Sequence, residues 1–342
     1  MKRYIYLWNL MIISTLLTTA CEQRAQNQRT DEFKPSPSRT TSPHSTTVEE
    51  TARASPSPAP TLTATLIPTP PGGGPGRLAF SSDREGDYPA VYLLDLVGKT
   101  TTPLIIGETT YFAGPWSPDG TRLLFTGFGL THSYVGVINS DGSGQTNLTP
   151  DSESDEAFPA WSPDGERIVF TSRRDGNNEL YLMSPDGSNP TRLTWAPGDD
   201  FAPAWSPDGN QIAFVSDRDR SSGRYSLYLI KPDGSGLKRI TRSEGIDYAP
   251  AWSPDSSRIV FRRDLDGESN IMMINRDGTD PRALTQAAGD NRSPCWTPDG
   301  LGILYQTNRD GNWEIYLQVL DGSEPLNLTR HPADDQYPHL KP

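Results

Sequence analysis

From about residue 77 onward the chain alternates short apolar runs with turn-forming clusters, and it does so with a regular period. In one unit, Asp200-Phe-Ala-Pro-Ala-Trp205 leads into Ser-Pro-Asp-Gly, then into Gln211-Ile-Ala-Phe-Val215. After a polar stretch come Leu227-Tyr-Leu-Ile230, an Asp233-Gly234 turn and a last run ending in Ile240-Thr241. Apolar runs this short, bounded by Gly, Pro and Asp, read as strands rather than helices. Pro presets φ and Gly accepts φ > 0, so Ser-Pro-Asp-Gly predicts a tight turn between the first two strands. Each unit is therefore four antiparallel strands.

The unit recurs. Trp116, Trp161, Trp205, Trp252 and Trp296 each open a Trp-Ser/Thr-Pro-Asp sequence, spaced 45, 44, 47 and 44 residues apart. About nine residues later an aromatic ends an apolar run at Phe125, Phe170, Phe214, Phe261 and Tyr305. Phe80 is a sixth copy of that run with no Trp motif before it, and Asp335-Gln-Tyr-Pro-His-Leu340 copies the approach to the Trp with no repeat after it. The last strand thus supplies what the first repeat lacks. A lone four-stranded unit would expose both apolar faces; stacking six in a closed ring hides them. A linear β-solenoid does not explain why the C-terminal segment completes the N-terminal repeat. The expected fold is all-β, a six-bladed β-propeller over 77–342 whose first blade is closed by the N- and C-terminal strands.

The repeat resembles the TolB-like, WD-like propeller family. The residues that carry the resemblance are the Trp-Ser-Pro-Asp-Gly runs, the Arg174-Asp-Gly176 and Arg309-Asp-Gly311 turns, the Ile/Leu-Tyr strands, and Leu328-Thr-Arg-His-Pro-Ala-Asp-Asp-Gln-Tyr-Pro338. That resemblance implies six blades and an innermost first strand. TolB also has an N-terminal α/β domain, which residues 22–76 do not match.

The remainder of the chain is of another kind. Lys2 and Arg3, an apolar run from Leu10 to Leu17 and the small residues Thr18-Thr-Ala20 lay out a signal peptide over 1–20. Cys21 directly after them resembles the lipobox of bacterial lipoproteins, although Thr18 stands where that family usually has Leu. The resemblance implies diacylglycerol on the Cys21 thiol. Residues 21–76 are rich in Pro, Ser and Thr without strand or helix period, as in Ala54-Ser-Pro-Ser-Pro-Ala-Pro60. They predict a disordered, lipid-anchored linker that cannot bury enough apolar surface to offset its ordering entropy. Its upper reach is roughly 170 Å at ~3.1 Å per residue.

Charge narrows the partners. Lys and Arg number 31 against 43 Asp and Glu, a formal net charge of −12 that repels phosphate backbones and argues against nucleic acid. The two cysteines, Cys21 and Cys295, fall in the linker and in a strand, so no disulfide framework is expected.

Candidate chemistry lies just before each Trp. Glu156, Asp200, Asp247, Asn291 and Asp335 hold one repeat position, where the second blade has Tyr111. If the strands they open are innermost, these side chains gather at one mouth of the central channel, where focused negative charge would take Ca²⁺ or a basic peptide. Arg84, Arg174, Arg218 and Arg309 end the antiparallel second strand at the same edge and offer the competing reading, repeated structural ion pairs. The second blade lacks both, with Gly129 in place of the Arg, which fits pairing. It also leaves an aromatic gap at Tyr111, Phe112 and Phe128.

Function follows by elimination and by analogy. No Gly-x-Ser-x-Gly elbow is present, and His132, His331 and His339 lack metal-site spacing. No resident cofactor is expected beyond that channel Ca²⁺. The reading is a monomeric, extracytoplasmic binding lipoprotein of the cell envelope. It captures a protein or peptide at a propeller face and meets the membrane only through its lipid anchor. One alternative is carbohydrate or peptidoglycan binding on Tyr111, Phe158, Phe201, Tyr248 and Tyr337. Another is a polysaccharide lyase or hydrolase, since oligogalacturonate lyases resemble this repeat.

Overall fold

The computed structural model describes residues 76–219, 224–286 and 289–342. The expected signal peptide, Cys21 and the linker up to residue 75 lie outside the described residues. Within them the chain is all-β, with no helix, in six four-stranded sheets. The first blade holds β1 (Arg77–Ser82), β2 (Ala90–Asp95) and β3 (Thr100–Ile105). The second holds β4 (Tyr111–Trp116), β5 (Arg122–Phe128), β6 (Ser133–Asn139) and β7 (Thr146–Asn147). The third holds β8 (Glu156–Trp161), β9 (Ile168–Ser172), β10 (Glu179–Met183) and β11 (Thr191–Arg192). The fourth holds β12 (Asp200–Trp205), β13 (Ile212–Ser216), β14 (Ser226–Ile230) and β15 (Lys238–Arg239). The fifth holds β16 (Ile246–Trp252), β17 (Arg258–Leu265), β18 (Glu268–Asn275) and β19 (Arg282–Ala283). The sixth holds β20 (Asn291–Trp296), β21 (Gly302–Thr307), β22 (Glu314–Val319) and β23 (Leu326–Asn327). Finally β24 (Asp335–Leu340) pairs antiparallel with β1, Leu78 opposite Leu340 and Ser82 opposite Asp335. The first blade is therefore built from both ends of the folded region.

The ring closes on its inner strands. β24, β4, β8, β12, β16 and β20 contact one another in that order, and β20 returns to β24. They surround the axis. Hydrophobic cores form between blades: Leu124, Val135 and Leu148 of the second pack with Trp161, Phe170 and Met183 of the third. The same holds across the closure, where Leu304 and Ile315 of the sixth blade meet Leu78, Phe80 and Tyr92 of the first. Each Trp of the repeat is buried against the preceding blade. Three of them donate their indole N–H to an inner strand there: Trp252 to Ala204 O (3.1 Å), Trp296 to Ala251 O (3.2 Å) and Trp116 to His339 O (3.1 Å).

Two local devices explain repeat residues that the apolar pattern alone does not. The outermost strands of blades two to six pair over only two residues, and the Leu-Thr that follows takes over their role. Leu193 N–H donates to Leu180 O (2.7 Å), while the Thr194 hydroxyl accepts from Leu180 N–H (2.9 Å). Thr241, Thr285 and Thr329 do likewise for Leu227, Ile271 and Ile315. The second device is a bulge in the inner strands. The residue before the repeat proline has positive φ at Phe158 (52°), Ala202 (50°), Ala249 (48°), Ser293 (48°) and Tyr337 (54°), a conformation that strains any residue but Gly. Part of that cost is offset across the blade interface. Phe158 N–H donates to the Thr126 hydroxyl (3.3 Å), Ala202 to Thr171 (3.2 Å) and Tyr337 to the Gln306 side chain (2.9 Å). A polar residue in the middle of the buried second strand is thus an acceptor for the next blade.

The two ends of the ring differ in kind. The Ser-Pro-Asp-Gly turns and the turns between third and fourth strands make one end, the turn face. The inner strands begin at the other, the loop face, among the loops that join second to third strands and one blade to the next. Gly76, whose carbonyl accepts from Leu96 N–H (2.9 Å), enters the ring at the turn face.

Candidate functional site

The carboxylates that open the inner strands are buried: Glu156, Asp200 and Asp335 are 0% exposed and Asp247 is 1% exposed. Each meets an arginine. Arg84 binds Asp335 (2.8 Å), Arg174 binds Glu156 (3.1 Å), Arg218 binds Asp200 (2.5 Å) and Arg263 binds Asp247 (2.7 Å). The register makes this recur. Asp335, Glu156 and Asp200 lie opposite Ser82, Ser172 and Ser216, and the Arg two residues on folds back to give its Nε–H to that Ser hydroxyl. Its guanidinium then lies over the Phe and Tyr of the second and third strands, as Arg174 does over Phe170 and Tyr181 (5.8 and 4.7 Å to the ring centroids). In the fifth blade the arginine is Arg263, directly opposite Asp247. It differs from the others because β17 runs on as a long hairpin with β18, which moves the Arg two positions back along the strand.

Burial weighs heavily on these acids. The carboxyls of Asp335 and Asp247 are held above the ordinary range by burial, which outweighs their arginines. Asp200 is pushed up to about 6 by burial against the pull of Arg218, and its Oδ1 has no hydrogen bond. The position departs in two blades. Asn291 donates its amide to Ser269 O (3.2 Å) and Gly289 O (3.1 Å), which a carboxylate could not do, and Arg309 turns to the Tyr305 hydroxyl (2.9 Å). In the second blade four changes occur together. Tyr111 replaces the acid, Gly127 the Ser, Gly129 the Arg and Gly136 the third-strand Tyr. A Cβ at Gly127 would stand 2.4 Å from the Tyr134 ring and one at Gly136 would stand 2.2 Å from the Phe125 ring, so both glycines make room. The Tyr134 hydroxyl bonds that of Tyr111 and, mostly through burial, is pushed up to about 12. An aromatic pair thus substitutes for an ion pair.

The six positions gather at one level of the ring, but their polar atoms turn to groups of the fold. Among the described residues no three His, Cys, Asp or Glu side chains converge as a metal cluster. Of the histidines, His331 accepts from Ala333 N–H, and half-buried His339 in β24 is brought down to about 4 by desolvation.

What the loop face does present is aromatic. Half-buried Phe112, Phe158 and Tyr337 follow the buried acid or Tyr111 along the inner strands, with Phe201 (5% exposed) and Tyr248 (3% exposed) between them. Phe112 meets Tyr337 across the first interface (4.7 Å between centroids) and Phe128 within its blade (5.2 Å). Phe158 meets Phe201 (6.5 Å), which meets Tyr248 (6.4 Å), and Tyr225 closes on both (5.1 and 5.7 Å). These two groups of rings make a crescent that stops at the fifth and sixth blades. There Arg262 lies over Tyr248 (5.3 Å) and binds Asp264, while Arg292 lies over Trp313 (4.8 Å) and binds Asp290 (2.6 Å). On the same face stand exposed Ile106, Leu130 and Trp195 in loops and Leu265 at the end of β17.

Sequence reasoning named Tyr111, Phe158, Phe201, Tyr248 and Tyr337 as mouth aromatics; Tyr111 instead packs edge-on to Phe125 in the core. It missed Tyr225 and Trp313. Both stand just before the third strand, where the backbone carbonyl accepts from the acid position of the next blade: Tyr225 O from Asp247 N–H, Trp313 O from Asp335 N–H. Large aromatics at that register position, where other blades have Pro89 and Asn178, were the available signal.

Comparison with known proteins fits this geometry. No curated protein matches the chain in sequence. Among solved structures, TolB from Acinetobacter baumannii is 21% identical over 78% of this chain and 67% of its own, with a TM-score of 0.69. A candidate TolB from Agrobacterium tumefaciens is 20% identical over 75% of this chain and 89% of its own, with a TM-score of 0.61. An oligogalacturonate lyase in complex with manganese is 17% identical over 73% of this chain and 72% of its own, with a TM-score of 0.50. At these identities the likeness is one of fold. The sequence match is to the TolB beta propeller domain, over residues 77–247 and 237–342. With six closed blades and that match over most of its length, the chain belongs to the TolB beta-propeller domain family.

Proposed function

We propose that the protein is a binding module of the cell envelope that captures a protein or peptide segment at the aromatic mouth of its loop face. The observation that carries this reading is the crescent of Phe112, Phe158, Phe201, Tyr225, Tyr248 and Tyr337, with exposed Leu130 and Trp195 on loops of the same face. Apolar groups gathered in a mouth, with further apolar side chains exposed on the same face, are the chemistry of an interaction site. Phe201 and Tyr248 offer little open ring face on which a sugar could lie flat, which favours side chains inserting between rings over saccharide stacking. With Cys21 lipidated, the protein is extracytoplasmic and membrane-anchored. The chain enters the ring at the turn face, so the tether joins it opposite the mouth.

The test is site-specific photocrosslinking in intact cells. A benzophenone amino acid at position 158 or 337 is expected to give a discrete adduct, and one at turn-face position 301 none. Equal adducts from both faces, or none from the mouth, would sink the reading. For the anchor, Cys21→Ser is expected to abolish labelling by radioactive palmitate and release the protein from membranes.

A further inference from the structure

In a repeat protein the neighbouring blades are the reference for each position, and a position that breaks with all its counterparts where nothing in the core requires it points to a ligand. Two such breaks meet in the mouth. Opposite the residue that follows the acid position of each inner strand, the second strand carries Ser81, Thr126, Thr171, Val215 and Gln306, but Arg262 in the fifth blade. At that residue itself the blades have Phe112, Ala157, Phe201, Tyr248 and Gln336, but Arg292 in the sixth. The first break has a structural cost. Ser81, Thr126, Thr171 and Gln306 each accept an amide of the next blade's inner strand; Val215 and Arg262 offer no acceptor, and Arg262 alone places a charge at this buried position (6% exposed).

β17, which carries Arg262, packs against β20, which carries Arg292, and Arg262 adds to the burial that disfavours charge on Arg292. Asp264 takes Arg262 on two of its nitrogens, Asp290 takes Arg292 on one, and Arg292 Nε is buried without a partner. In the same sector Arg309 has lost its acid to Asn291. Of the guanidiniums Arg262, Arg263, Arg292 and Arg309, the first three meet a carboxylate (Asp264, Asp247 and Asp290) and Arg309 forms no ion pair among the described residues, in a chain of net charge −12. Like charges held together beside aromatic rings are relieved by an anion with planar, two-oxygen geometry.

Resting on the reading of the mouth as a peptide site, we propose that its occupant is an extended peptide segment carrying a carboxylate beside an apolar side chain. The carboxylate sits against Arg262 and Arg292, and the apolar group enters the crescent at Phe158, Phe201 and Tyr337. A side-chain carboxylate and a free C-terminus share this chemistry, and the test distinguishes them.

Random heptapeptides with free C-termini are selected against the full-length protein and against the double variant Arg262→Gln, Arg292→Gln. Each substitution installs what a neighbouring blade already carries there, Gln306 or Gln336, so the melting transition is expected to persist. The expected winners hold Asp, Glu or a terminal carboxylate next to Phe, Tyr or Leu. Resynthesis with Glu replaced by Gln, and separately with an amidated C-terminus, shows which carboxylate matters. Its loss is expected to weaken binding at least tenfold in the wild type and less than twofold in the double variant. Winners without acidic preference, or an equal loss in both proteins, overturn the carboxylate inference alone, provided Phe158→Ala still weakens binding. Winners indifferent to Phe158→Ala, or no winners, with or without binding of a tetragalacturonate probe, overturn the inference and the peptide reading together.

Discussion

The turn face and the loop face are built from the same repeat yet obey it to different degrees. On the turn face one small device is reused. Ser117, Ser162, Ser206, Ser253 and Thr297 each donate to an Asp two residues on, and that Asp accepts the backbone amide two residues further, at Thr121, Glu166, Asn210, Ser257 and Leu301. A glycine follows the Asp in four of the five, as at Gly120 (φ 66°) and Gly165 (φ 72°). The polar groups of each of these turns are satisfied within the turn or by the next blade, as Asp208 is by Ser256 and Arg276. The loop face starts from an equally regular plan of acid, Ser, Arg and stacked aromatics, then departs from it in the second, fifth and sixth blades. A face that keeps to the repeat reuses one set of hydrogen bonds; one that breaks it leaves half-buried rings at Phe112, Phe158 and Tyr337 and the Nε of Arg292 and Arg309 without a hydrogen bond among the described residues.

The comparison rests on a closed ring, so the largest expected effect comes from opening it. Deleting residues 335–342 removes β24, which crosses from one face to the other, and exposes Leu78, Phe80 and the sixth-blade core packed on them. The truncated chain is expected to lose its cooperative thermal transition; an unchanged calorimetric melt would refute the ring. Next in size is the contrast between faces. Trp252 near the turn face is 7% exposed, donates to Ala204 O in the preceding blade and carries the Arg276 guanidinium on its ring (5.5 Å). Trp252→Ala is expected to cost about 3–5 kcal/mol in urea denaturation. Half-buried Phe158 at the mouth is expected to cost less than about 2 kcal/mol when replaced by Ala, while mouth adducts fall. Equal costs would mean that the crescent is core.

How much of this was legible beforehand varies with the physics. The ring was, because Phe80 without a Trp motif and Asp335–Leu340 without a following repeat can only be reconciled by pairing the two ends. Arg84, Arg174 and Arg218 were legible as partners since they repeat in register with the acids. Arg263 was not, because a longer hairpin in the fifth blade moves the arginine along β17. The crescent was partly legible. Alternation places a side chain on one side of a strand, but the positive-φ bulge turns the chain, and nothing in the spacing announces it. Arg262 and Arg292 were passed over for the plainest reason. A single Arg in a charged, turn-rich sequence looks like surface until its counterparts in the other blades are known to be buried.

The narrowest test sets the buried acids against the exposed ones through the sign of their pH dependence. Asp119 and Asp255 on the turn face are brought down to about 2, chiefly by hydrogen bonds from Ser117 and from Ser253 and Ser257. Their contribution to stability is present above about pH 4 and is lost as pH falls toward 2. Asp200 runs the other way. Its folded carboxyl, at about 6, holds its proton beyond the ordinary value of 3.8, so between those values the folded chain binds more protons than the unfolded one. Its contribution is therefore full below about pH 4 and declines as pH rises through about 6, by at most about 3 kcal/mol. Asn is fixed in a neutral form, so Asp200→Asn lacks that decline. The stability of the variant relative to wild type is expected to rise between pH 4 and pH 7, read from urea midpoints at matched ionic strength. A relative stability that falls instead would mean that Arg218 outweighs burial, and that Asp200 is an ordinary ion-pair partner whose charge the ring requires.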